Sequence, residues 1–94
     1  MGVGLIYHPD VLKEDLRGIP ANIKSRIRKA IETRLLKDPV MFGQPLRQSL
    51  KGHRKLRVGD WRVIYRVEHS TIVILMIGSR KDVYEEVFKR VDNA

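Results

Sequence analysis

Two alternating runs meet at a two-residue break in "RKLRVGDWRVIYRV", residues 54 to 67. Each run reads with period two, and Gly59–Asp60 between them is a connection suited to a tight β-hairpin. With those two as the turn, Val58 faces Trp61, Arg57 faces Arg62, Leu56 faces Val63 and Lys55 faces Ile64. Few other features of the chain fix so many residue pairs at once.

Alternation then sorts the side chains. Leu56, Val58, Trp61, Val63, Tyr65 and Val67 take one face and can pack against helices, while Lys55, Arg57, Arg62 and Arg66, with Ile64, take the other. The second face has a cost. Arg57 and Arg62 are like charges directly opposite each other, which destabilises a sheet by several tenths of a kcal/mol on the order of magnitude. Between residues 47 and 66 Asp60 is the only acid, against seven cations. Two readings stand: a solvated basic sheet face, or a site that receives phosphate. The second explains the unrelieved repulsion better, since arginine presents a planar fork to phosphate oxygens and lysine a compact charge.

The rest of the chain supports a small sheet. "VGLIY" (3–7) reads as a first strand, and Asp10 as the cap of a short helix carrying Val11, Leu12 and Leu16 that stops at Gly18. A longer helix runs from near Pro20 to about Leu36. Its stripe is Ile23, Ile27, Ile31 and Leu35, with Lys24, Arg28 and Arg34 on the wet side, and Asp38–Pro39 ends it. "VMFGQPLRQSLKG" (40–52) reads as a loop tethered by Met41, Phe42, Leu46 and Leu50. "TIVILMI" (71–77) is apolar on both faces, as a central strand covered on two sides requires. Val83, Val87 and Val91, with Asp82 as cap, predict a C-terminal helix. The order is β-α-α-β-β-β-α, an α+β fold, with residues 1–94 as one domain.

Composition narrows the function. The 94 residues hold 19 Lys+Arg and 11 Asp+Glu, a formal charge of +8. That charge serves solubility, or it marks a polyanionic partner, a nucleic acid or an acidic protein. There is no cysteine, which removes a disulfide scaffold and a thiolate nucleophile. "MGVGLIYHPDV" has no basic n-region, and the longest apolar run, "IVILMI", is too short to span a bilayer. A cytoplasmic protein is expected. Glu14, Glu32, Glu68, Glu85 and Glu86 show no metal-binding spacing, so neither a metal nor another cofactor is expected.

Two further residues extend the basic face. Arg80 follows the central strand, where a side chain can be aimed over the sheet, and Tyr84 comes four residues later. Cations around the Tyr84 hydroxyl would stabilise its phenolate. Of the histidines, His8 precedes Pro9 at a strand end, His69 lies in the "EHS" turn, and His53 flanks the basic strand. Together, Lys55, Arg57, Arg62, Arg80 and Tyr84 permit RNA cleavage without metal. The 2′-hydroxyl attacks the adjacent phosphate, leaving a 2′,3′-cyclic phosphate and a free 5′-hydroxyl, and the protein moves protons and stabilises charge.

The chain resembles the RelE/ParE toxin superfamily of toxin–antitoxin systems over nearly its whole length. The resemblance is carried by "LLKDPVMFGQPLRQSLKGHRKLRVGDWRVIYRV" and "VILMIGSRKDVYEEV". It implies two N-terminal helices packed on a small, twisted, antiparallel-dominated sheet, similar in outline to microbial ribonucleases. It further implies a ribosome-dependent messenger-RNA interferase that cuts in the ribosomal A site. By the same resemblance, Arg62 and Arg80 hold the scissile phosphate, Lys55 and Arg57 orient the 2′-hydroxyl region, and Tyr84 stacks on the nucleotide or moves a proton. Lys51, His53, Arg54, Arg66 and Lys81 are expected to contact RNA around that set. Ser79 stands where many relatives have histidine, and Arg57 where some have lysine; a guanidinium is a poor general base.

Implied partners are a cognate antitoxin, RelB-like or another short protein, the ribosome with its message, and operator DNA through the toxin–antitoxin complex. Two alternatives share the scaffold or the charge. One is a ParE-like toxin that inhibits DNA gyrase by binding. The other is a non-catalytic nucleic-acid-binding module, although no KH-type GxxG loop or RNP-type aromatic pair is present.

Overall fold

The computed structural model describes residues 4–46, 52–79, 83, 87 and 90. Strand β1 (Gly4–Tyr7) leads into helix α1 (Pro9–Lys13) and a 3₁₀ turn (Asp15–Gly18). Proline at the first helical position suits α1, whose missing N–H there costs nothing. The cap is His8 rather than the expected Asp10: the His8 Nδ1 accepts from the Asp10 backbone N–H at 3.1 Å.

Helix α2 (Ala21–Ala30) continues directly into a π-helical turn, Ile31–Leu35. The stripe Ile23, Ile27, Ile31, Leu35 steps by four, and so drifts around a regular α-helix of 3.6 residues per turn. A wider i→i+5 turn, closed by the Leu36 N–H on the Ile31 carbonyl at 3.0 Å, brings Leu35 back to the core. Ile27, Ile31 and Leu35 are all buried.

The segment expected to be a tethered loop contains two elements. Helix α3 (Pro39–Phe42) is capped by Asp38, whose carboxylate accepts from the Met41 N–H. Strand β2 (Gln44–Pro45) then joins the sheet. Met41 is 73 % exposed and is no anchor, because α3 is a single turn that points it outward. Leu46 does pack on the core; Leu50 lies outside the described residues.

Strands β3 (His53–Val58), β4 (Trp61–Glu68) and β5 (Thr71–Ser79) complete a five-stranded sheet ordered β1-β5-β4-β3-β2. All neighbours are antiparallel except β1 and β5. The hairpin register is the one expected, with Val58 opposite Trp61 and Arg57 opposite Arg62. Gly59 has φ +61°, which a two-residue hairpin turn requires and glycine supplies without steric cost.

The sheet is covered on both faces. One core joins Val11, Ile27, Ile31 and Leu35 to Leu56, Val63, Tyr65, Ile72 and Ile74. The other joins Ile64, Leu75 and Met76 to Val83 and Val87. A bulge makes the second core wide enough. Ile64 pairs with Met76 and Tyr65 with Ile74, so Leu75 is the extra residue, and Leu75 and Met76 both reach the same side.

Val83, Val87 and Arg90 are helical and buried; Asp82 and Val91 lie outside the described residues. Because β1 pairs with β5 only through Ile74, the next stretch of that β5 edge needs other partners. The Asp15 carboxylate accepts from the Ile77 N–H at 2.9 Å, and Arg90 donates to the Leu75 carbonyl at 3.0 Å. Arg90 also donates twice to Asp15, both at 2.7 Å. Among the described residues, no helix is long and apolar enough to cross a membrane.

Candidate active site

The β3–β4 hairpin presents Lys55, Arg57 and Arg62 on one side of the sheet. At its tip Arg62 donates to the Gly59 carbonyl at 2.9 Å and to the Trp61 carbonyl at 3.0 Å. Arg57 donates through Nε to the same Gly59 carbonyl at 3.4 Å. One turn carbonyl therefore serves both guanidinium groups, which face each other across the ladder. It offsets part of their repulsion, and among the described residues no other acceptor takes the remaining N–H groups of either fork.

Strand β2 pairs only with Arg54 and Lys55 of β3. Pro45, which has no N–H, suits so short an edge strand. Among the described residues nothing pairs with the β3 edge past Lys55, and Arg34 meets the hairpin there from the π turn. A cavity of about 310 Å³ lies at this corner, lined by Arg34, Gln44, Lys55, Leu56, Arg57 and Arg62. Among the described residues, four cations and no acid line it. Such a site concentrates anions, and its arginine forks fit phosphate oxygens in pairs.

Arg34 and Gln44 were not among the candidates read from the sequence. Helical periodicity puts Arg34 on the wet side, where it is, but does not say what lies across from it. Gln44 is positioned by a long-range brace. The Tyr65 hydroxyl donates to the Pro39 carbonyl at 2.6 Å, and Arg54 donates to the Val40 and Gly43 carbonyls at 2.8 and 3.1 Å. Burial pushes the Tyr65 phenol above its ordinary value near 10, opposed by the Arg54 charge beside it.

The other candidate contacts separate from the cavity. Arg54 braces the α3–β2 connection. The Arg66 Nε lies 2.9 Å from a Glu68 carboxylate oxygen, so its charge is partly matched. His53 sits opposite Arg66, with both ring nitrogens buried and, among the described residues, without a hydrogen-bond partner. Lys51, Arg80, Lys81 and Tyr84 lie outside the described residues. Among the described residues, no group of three or more His, Cys, Asp or Glu could hold a metal ion.

Comparison with known proteins places the chain in a family. Residues 5–84 match the family model of the ParE toxin of the type II toxin–antitoxin system parDE. The chain is 35 % identical to toxin RelG of Mycobacterium tuberculosis over 74 residues, 77 % of this chain and 85 % of that one. It is 33 % identical to toxin RelE of the same organism, over 74 % of each. Among solved structures, the RelBE2 toxin–antitoxin complex of M. tuberculosis contains a similar chain (TM-score 0.77, 28 % identity, 85 % of this chain and 100 % of that one). The fold of a free Escherichia coli RelE mutant is also similar, with a TM-score of 0.76 at 21 % identity, covering 97 % of this chain and 99 % of that one.

The protein belongs to the RelE/ParE superfamily of toxins from type II toxin–antitoxin systems. Within that class it is RelE/RelG-like.

Proposed function

We propose that this toxin is a ribosome-dependent endoribonuclease that cleaves messenger RNA through the substrate's own 2′-hydroxyl. The observation that carries the reading is the cavity joining Lys55, Arg57, Arg62 and Arg34, with no acid among its described lining residues. Arg62, held at the turn by the Gly59 carbonyl, grips non-bridging oxygens of the scissile phosphate, and Arg57, on the same carbonyl, faces the 2′-hydroxyl region with Lys55. As charge builds on the pentacoordinate phosphorus, these fixed donors stabilise it without having to reorganise. Lys55 lies beside the 2′-hydroxyl region. By family resemblance, Arg80 adds to the phosphate grip and Tyr84 stacks on the nucleotide or moves a proton. Positive side chains do the electrostatic work here, so the mechanism calls for no metal.

A cognate antitoxin that covers this face is the proposed protein partner. The structure of a RelBE2 toxin–antitoxin complex with 28 % identity supports that pairing, and repression of the operon would follow from the complex on operator DNA. The ParE family model favours a second reading, inhibition of DNA gyrase.

One pair of assays separates the two. Purified protein is added to ribosomes programmed with a defined message and, in parallel, to gyrase with relaxed plasmid. The proposal expects cuts in the A-site codon and undisturbed supercoiling. Blocked supercoiling with intact message would establish the second reading instead.

A further inference from the structure

The cationic cavity does not end at the hairpin. A second cavity, about 280 Å³, is lined by Arg26, Lys29, Ala30, Thr33, Arg34, Arg57, Val58 and Gly59. Arg34 and Arg57 belong to both cavities. The two therefore adjoin at Arg34 and Arg57, and together they extend from the β3–β4 hairpin along α2. Positions 26, 29, 30 and 33 are spaced by three and four, so they share one helix face. Arg26, Lys29 and Arg34 are all exposed, and none of them forms an ion pair among the described residues. Arg26 reaches as far as the turn: its guanidinium lies 3.9 Å, an ordinary van der Waals distance, from where a Cβ on Gly59 would sit.

The geometry points to a track for the sugar–phosphate backbone of the bound RNA, with Arg26, Lys29 and Arg34 holding phosphates beyond the one at the hairpin. This rests on the RNA reading given above. From Arg26 to Arg34 the helix advances roughly 12 Å, enough for more than one phosphate. The lining selects the kind of partner. An amphipathic peptide needs apolar anchors, and those are concentrated elsewhere, in a separate cavity of about 390 Å³ lined by Leu12, Leu16, Ile27, Ile31 and Ile77 among others. Among the described residues, the apolar lining of the second cavity is Ala30 and Val58, with backbone at Gly59, and the first adds Leu56. A uniformly charged, flexible strand fits such a groove better than a folded acidic segment.

Counterion release measures the phosphate contacts directly. A labelled 12-nucleotide RNA with 2′-O-methyl riboses, which cannot be cut, is titrated with the protein between 50 and 200 mM salt. For single strands each phosphate contact contributes about 0.7 to the slope of log K against log salt. Arg26→Ala/Lys29→Ala should flatten the slope by about 1.4. A charge-matched control, Lys13→Ala/Arg17→Ala, removes two exposed cations outside the groove and should leave the slope close to that of wild type. A trinucleotide should bind wild type and the groove variant alike.

Equal slopes for the groove variant and wild type would overturn the track, as would equal flattening by the control. So would an unchanged slope together with weaker antitoxin binding, which would give the groove to an acidic protein. If the groove variant flattens the slope but wild type leaves message intact on ribosomes, the track stands and the nuclease reading fails.

Discussion

Arg57 and Arg62 face each other across the β3–β4 ladder, and both donate to one oxygen, the carbonyl of Gly59. Two like charges share an acceptor that a neutral pair would not need. If this pairing serves substrate rather than stability, removing one cation should relieve strain while abolishing function. Arg62→Ala is expected to unfold in urea at a concentration equal to or above that of wild type, within about 0.5 kcal/mol. Added salt should stabilise wild type more than the variant, since screening acts on the repulsion. A loss of more than about 1 kcal/mol would make Arg62 a structural residue.

Arg90 and Asp15 form a buried, doubly hydrogen-bonded pair that also satisfies the β5 edge at Leu75 and Ile77. Arg90→Ala leaves the Asp15 charge without its partner and frees the Leu75 carbonyl. Its cost should be about 3–5 kcal/mol in denaturant titration. A cost below about 1 kcal/mol would show that water replaces the guanidinium at no loss.

Tyr65 makes stability depend on alkaline pH. Burial raises its folded pKa above the ordinary value near 10, so the folded state holds the phenolic proton more tightly than the unfolded chain does. This stabilisation is complete below about pH 10 and is lost as pH rises through the folded value. Tyr65→Phe should cost about 1 kcal/mol at neutral pH, from the lost bond to Pro39. Its decline in denaturation midpoint between pH 9 and 11 should be shallower than that of wild type. Parallel declines would remove Tyr65 from the account.

Gly43 packs against the same hydroxyl. A Cβ at Gly43 would overlap the Tyr65 Oη, so Gly43→Ala must displace either the ring or the α3–β2 connection. Overpacking of this kind costs about 1–3 kcal/mol. In the Tyr65→Phe background the penalty should shrink, giving a measurable coupling in a double-mutant cycle. Additive costs would mean that the connection shifts instead.

The hairpin register, its two faces and the doubly covered β5 could be read from the sequence, because each follows from alternation and one turn. Local pattern could not supply β2. It is two residues long, contains proline, and exists only because β3 offers an edge. The bulge at Leu75 was hidden for a different reason: every residue from Ile72 to Ile77 is apolar, so the pattern carries no mark of a lost phase. Asp10 looked like the α1 cap, but His8 precedes Pro9 and its imidazole reaches the free N–H first. At the site, Lys55, Arg57 and Arg62 follow from strand alternation alone. Arg34 joins them through the π turn and the open sheet edge, a meeting of distant segments that no local period encodes.

The central claim is that Arg62 stabilises charge on a phosphate while RNA is being cut. Single-turnover cleavage of message in programmed ribosomes, with wild type, Arg62→Lys and Arg62→Ala, tests it most directly. The expected outcome is 2′,3′-cyclic phosphate ends and a rate lower by about 10²–10³ for Arg62→Ala, equivalent to roughly 2–4 kcal/mol of transition-state stabilisation. Lysine should restore only part of that, lacking the fork. An Arg62→Ala variant that cuts at the wild-type rate would contradict it.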